Sequence, residues 1–147
     1  MATFGVFNST WSPRMLAVLR IVAGLLFVLH GTQKLFGFPA PMDPQPGLLT
    51  LMGLAGLIEF VGGLLFSVGL FTRPVAFVLA GEMAVAYFMA HAPQGFWPIL
   101  NQGELAVLYC FIFLHFAATG PGEWSIDHEL ERHTPQKTRS SRPVSVR

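Results

Sequence analysis

The chain has 147 residues, of which 52% are hydrophobic and only 12% charged, with a formal net charge of +1. A soluble domain carries roughly 25% charged residues. This chain lacks the polar groups to cover a water-facing surface, and much of that surface is expected to face lipid. One cysteine, Cys110, rules out an intrachain disulfide and a CxxC redox pair.

The first apolar stretch runs over residues 15–36. It is longer than the core of a signal peptide, and no basic segment with a small-residue cleavage site precedes it, so it is expected to stay in the protein. Residues 38–46 then hold Pro39, Pro41, Pro44 and Pro46, through which no helix continues. The second stretch covers residues 47–71. Thr72-Arg73-Pro74 breaks it, with Pro74 suited to the first turn of a third helix over residues 74–91. Pro93, Gly95 and Pro98 mark the next loop, a fourth helix is expected over residues 101–118, and Gly120-Pro121-Gly122 stops it. Each stretch can span ~30 Å of hydrocarbon at ~1.5 Å per residue. The fold expected is all-α, a membrane four-helix bundle. Continuous rather than alternating apolar runs argue against a transmembrane barrel.

Four crossings put both termini and the second loop on one side. That side holds Arg14, Arg73, Arg132, Lys137, Arg139, Arg142 and Arg147, against Lys34 on the other. Excess Lys and Arg marks the cytoplasmic face, so both termini are expected there, in a multi-pass protein of the bacterial inner membrane. Trp11 and Trp124 would lie near the inner interface, Phe96 and Trp97 near the outer one. Residues 1–14 read as a cytoplasmic N-terminal segment, and residues 121–147 as a basic, disordered cytoplasmic tail able to touch anionic lipid headgroups.

Ionisable residues inside a bilayer are costly and mark functional positions. Those in the spans are Arg20, His30, Lys34, Glu59, Glu82, His91, Glu104 and His115. Gly24 and Gly31 flank the Arg20–Lys34 stripe, and Gly56, Gly62 and Gly63 flank Glu59. Such small residues let helices approach closely. Two layers are expected: a structural Arg20–Glu59 ion pair deeper in, and an outer cluster of His30, Lys34, His91 and Glu104. In that cluster His30, His91 and Glu104 would exchange protons, with Lys34, Tyr87 and Asn101 as ligand-binding residues. Groups of this kind are what a quinone or quinol needs beside its ring oxygens. Glu82 lies nine residues from His91, so on a regular helix it points away; it and His115 are expected to be structural. His30, His91 and Glu104 lack any diagnostic metal-ligand spacing, and no metal is expected. GxGxxG, Walker, HExxH and CxxCH motifs are absent.

Several segments are familiar together: Arg20 with His30-Gly31-Thr32-Gln33-Lys34, Gly56 to Gly63 around Glu59, and Gly69 to Pro74. Ala84 to His91, Asn101 to Glu104, and Gly120 to Asp127 complete the set. Through them the chain resembles the DoxX family of small bacterial integral membrane proteins. The resemblance covers residues 20–127 and implies four helices in the inner membrane. It also implies a link to oxidoreductase chemistry, since the family is named for likeness to a subunit of a thiosulfate:quinone oxidoreductase. Some members are associated with sulfur metabolism or oxidative stress. The function expected is a membrane oxidoreductase component acting on quinone or quinol. A non-catalytic scaffold or assembly factor for a redox complex, and a small-molecule transporter or channel, are the alternatives. No haem or flavin is implied, so the chain would need a redox partner protein or a direct two-electron transfer. Transport would call for a homo-oligomer. Beyond the lipid bilayer no other partner is indicated, and nothing points to nucleic acid.

Overall fold

A computed structural model describes residues 11–133. Lys137, Arg139, Arg142 and Arg147 of the basic tail lie outside the described residues. Within them the chain is all-helical: α1 Trp11–Phe36, α2 Leu51–Val68, α3 Thr72–Ala86, a short α4 Pro98–Asn101, α5 Glu104–Thr119 and α6 Ile126–His133. A π turn, Tyr87–His91, and a 3₁₀ turn, Ala92–Gln94, extend α3. Three helical segments are long and apolar enough to cross a membrane: Trp11–Phe36, Leu51–Val68 and Thr72–Gln94. The fourth, Glu104–Thr119, is apolar but shorter.

Local chemistry sets these limits. The Thr50 hydroxyl accepts from Gly53 N at 3.1 Å and caps α2, so that helix begins at Leu51 and not at Gly47. Gly69 takes a left-handed φ of 71° and its N–H returns to the last turn, so α2 stops at Val68 rather than Phe71. The fourth apolar stretch is split, because Gln102 adopts a φ of 59° between α4 and α5. The start of the tail is ordered: residues 121–125 fold beneath α1, and α6 follows. In α6, Asp127 and Glu129 sit in the first turn and Arg132 and His133 in the last, each complementing the helix dipole.

The helices alternate in direction. One end of the bundle carries the loops of residues 37–50 and 92–103; the other carries Trp11, the turn at residues 69–71 and residues 120–133. α1 packs along α2, and α3 along α5, while α2 and α3 meet more loosely. Glycines make the α1–α2 contact close. A Cβ at Gly31 would lie 2.5 Å from Phe60 N, and one at Gly24 would lie 3.0 Å from Gly63 O. In lipid, where helices gain no hydrophobic drive to associate, such close packing holds them together. An aromatic core ties the layers. Phe113 packs edge-on to Phe27 at 4.9 Å and to Phe66 at 5.0 Å, and Phe66 meets Phe116 at 5.0 Å. The surface is apolar, with Leu25, Leu57, Phe77 and Phe111 among many exposed large side chains.

Candidate functional site

The expected Arg20–Glu59 pair does not form. α1 and α2 run antiparallel with Gly24 opposite Gly63 and Gly31 opposite Gly56, which puts Arg20 level with Gly69. Glu59 is about ten residues from that level, or ~15 Å at ~1.5 Å per residue. Arg20 is fully buried and spends its donors on main-chain carbonyls instead. Its Nη1 donates to Phe66 O at 2.8 Å and to Ser67 O, its Nε to Pro121 O at 3.0 Å, and its Nη2 to Trp124 O at 2.7 Å. The guanidinium thus satisfies carbonyls at the end of α2 and pins the 121–124 loop to it. Asp127 completes this clasp by accepting from Phe71 N at 2.8 Å and Thr72 N at 2.7 Å, at the start of α3.

The partner of Glu59 is Lys34, whose Nζ donates to its Oε1. Glu59 is 2% exposed, and its Oε2 is buried without a hydrogen-bond partner. This pair forms part of the wall of a cavity of about 240 Å³ towards the loop end of the bundle. His30 and His91 line the same cavity, with Phe27, Met83, Tyr109 and Gln102 among the other walls. Exposed His30, Gln102 and Leu105 edge its mouth. Aromatic contacts hold the rings in place: His30 meets Tyr109 edge-on at 6.2 Å, Tyr109 lies 5.4 Å from Phe27, and Tyr87 stacks on His91 at 6.4 Å. His91 Nδ1 lies 2.9 Å from Asn101 O. One cavity therefore gathers imidazole, ammonium, carboxylate and phenol groups from α1, α2, α5 and the π turn.

Three residues expected here take other places. Glu104 is exposed in the first turn of α5, where a negative charge suits the helix N-terminus, and it does not line the cavity. Tyr87 is buried and donates its hydroxyl to Phe96 O. Asn101 is buried too; its Nδ2 donates to Gly95 O at 2.5 Å, and its Oδ1 accepts from Gly103 N at 2.8 Å. Tyr87 and Asn101 thus build the loop that carries the rim. Among the described residues, no group of three or more His, Cys, Asp or Glu side chains is placed to hold a metal ion.

Sequence reasoning passed over Glu82, Gln102 and Tyr109. Both carboxylate oxygens of Glu82 are buried with no hydrogen-bond partner, and its charge is close enough to interact with Glu59 and Lys34. Its position deep in a span was the available signal. The nine-residue offset from His91 assumes α-helical phase throughout, and the π turn departs from that phase. The i→i+5 bonding of the π turn, closed by Ala92 N on Tyr87 O, winds more slowly and swings His91 back towards the face of α3 that bears Met83.

The DoxX family model matches residues 15–92. The chain belongs to the DoxX family. Its DoxX match spans α1 to the π turn and contains His30, Lys34, Glu59, Glu82 and His91; Gln102 and Tyr109 lie beyond it. A protein of Haemophilus influenzae is 46% identical over 82% of this chain and 93% of its own length. The inner membrane protein YqjF of Escherichia coli is 31% identical over 78% of this chain and 91% of its own. A Bacillus subtilis protein named "Putative oxidoreductase CatD" is 27% identical over 75% of this chain and 82% of its own. No solved structure matches this DoxX chain.

Proposed function

We propose that the cavity binds the ring of a quinone or quinol and exchanges protons with it, the chain acting as the membrane component of an oxidoreductase. The observation that carries this reading is the convergence of His30, Lys34, Glu59 and His91 on one cavity within an otherwise apolar bundle. The name of the Bacillus subtilis relative points the same way. A volume of about 240 Å³ is below the ~300–1,000 Å³ of sites for drug-sized ligands. It suits a ring headgroup whose apolar tail stays in lipid.

The residues divide the work by their chemistry. Lys34 has two N–H donors left after pairing with Glu59, and one can hold a quinone oxygen. Glu59 Oε2 can accept from a quinol hydroxyl. His30 and His91 each offer imidazole nitrogens that can accept and donate a proton, and can pass protons to and from the mouth. Reduction of a quinone to a quinol takes up two electrons and two protons. These side chains handle the protons, and the electrons come from a redox partner protein. The proton role expected of Glu104 passes to Glu59, since Glu104 is exposed and does not line the cavity.

Binding of a short-tailed quinone to the full chain in lipid nanodiscs tests the reading. His30→Ala, His91→Ala and Glu59→Gln should each weaken binding about tenfold, or ~1.4 kcal/mol, while Glu104→Gln leaves it unchanged. Equal affinity across all of these variants would remove the quinone from this cavity.

A further inference from the structure

Lys34 and Glu59 line the cavity, and Glu82 adjoins Met83 of its wall on α3 with its carboxyl oxygens buried. Lys34 is bonded to Glu59 Oε1, while Glu59 Oε2 and both oxygens of Glu82 are buried and without hydrogen-bond partners. Glu82 also stands between two environments. One turn before it on α3, Val78 and Leu79 line an apolar groove of about 560 Å³ between α2 and α3, together with Ile58, Val61 and Gly62. One turn after it, Ala86 lines the polar cavity. Its carboxyl oxygens are therefore buried and take no hydrogen bond from the protein.

Charge counting then decides the occupancy of the cluster. With both carboxyl groups ionised the three residues would carry a net negative charge in a low-dielectric setting, with no donor satisfying three of the four oxygens. Adding one proton makes the cluster neutral. The other titratable groups around the cavity are His30 on α1, His91 in the π turn and Tyr109 on α5. None of them is hydrogen-bonded to Glu82. Glu59 already has a cation at hydrogen-bond distance and Glu82 has none, so the ionised member is Glu59.

We propose that Lys34, Glu59 and Glu82 together hold one exchangeable proton beside the cavity, carried by Glu82, while Glu59 stays ionised against Lys34. In that arrangement a ligand hydroxyl that loses its proton can give it to the ionised Glu59, breaking the ligand O–H bond and forming one on Glu59, while the proton on Glu82 keeps the cluster from carrying two negative carboxylates against one cation. No oxidant or reductant enters this step; only an O–H bond is broken on one group and formed on another. The proposal concerns the resting protein and holds for any ligand that exchanges a proton, whether or not that ligand is a quinone.

Infrared spectra of the full chain in lipid nanodiscs at neutral pH, without quinone, test it. Wild type should show one buried carboxylic-acid C=O band that shifts in D₂O. Glu82→Gln removes the acid that bears the proton, and Glu59→Gln leaves Lys34 to be balanced by Glu82 alone, so the band should vanish in both. Lys34→Met leaves two carboxyl groups without a cation and should double the band. Glu104→Gln should leave it as in wild type, and Glu82→Asp should restore a band, which separates loss of the proton from loss of the fold. A wild-type spectrum without the band, or a band retained at full strength in Glu82→Gln, overturns the proposal.

Discussion

Arg20 shows how a charge can be buried without a counter-charge in contact. A guanidinium has five N–H donors, and here they reach four carbonyls on two separate pieces of chain, the end of α2 and the 121–124 loop. Arg20→Lys keeps the charge but offers donors from a single atom, which cannot span both pieces. Hydrogen bonds to charged groups contribute ~1.5–3 kcal/mol each, and loss of the fork leaves buried carbonyls unpaired. The variant should lose about 3 kcal/mol of stability, seen as a lower thermal midpoint in detergent; an unchanged midpoint would show that the clasp contributes nothing. Sequence pattern located Arg20 as a buried, glycine-flanked charge, yet assigned it the wrong partner. The reason is physical. Its real partners are main-chain carbonyls, which every residue carries, so no residue type announces them. Glu59 was the opposite case: its partner Lys34 was already among the charged residues of α1, and only the antiparallel register was needed to choose it over Arg20.

At the scale of elements, glycines divide into those that set helix distance and those that do not. Gly31 faces α2 so closely that an added Cβ would meet Phe60 N at 2.5 Å and Gly56 O at 2.8 Å, whereas a Cβ at Gly81 on α3 would meet nothing within 4 Å. Gly31→Ala must push the two backbones apart and should cost about 1–3 kcal/mol. Gly81→Ala only exchanges a weak helix former for a strong one and should gain about 0.5–1 kcal/mol. Unfolding midpoints of the two variants in the same detergent check this, and a loss of equal size in both would contradict the helix contact described. The number and order of the apolar elements were legible because length and hydropathy govern them. Their ends were less so. α2 is shortened by the Thr50 cap and the left-handed Gly69, signals that an apolar run conceals. The π turn was invisible to a fixed helical period, and with it the shared cavity wall of Met83 and His91.

For the whole molecule, the open matter is how many times the chain crosses and which way it points, and two facts bear on it together. α5 has 16 residues, about 24 Å at ~1.5 Å per residue, short of a ~30 Å hydrocarbon core. α4 lies immediately before it, so that Pro98–Thr119 with its break at Gln102 can make up the length. The clasp adds a second constraint. Arg20 near the start of α1 binds carbonyls of residues 121 and 124 after α5, so the chain before α1 and the chain after α5 lie at the same end of the bundle. That arrangement calls for an even number of crossings, and with three long helices and one shorter apolar helix we propose four. Arg14, Arg73 and Arg132 belong to this end, and Lys34 lies towards the other, so from the Lys and Arg excess we propose that the shared end faces the cytoplasm. Green fluorescent protein fused after Arg147 should then fluoresce, and alkaline phosphatase fused there should be inactive. The same phosphatase inserted in the proline-rich loop after Met42 should be active. An active phosphatase at Arg147 with an inactive one after Met42 would invert the orientation, and activity at both positions would mean an odd number of crossings and a clasp that does not form in the membrane.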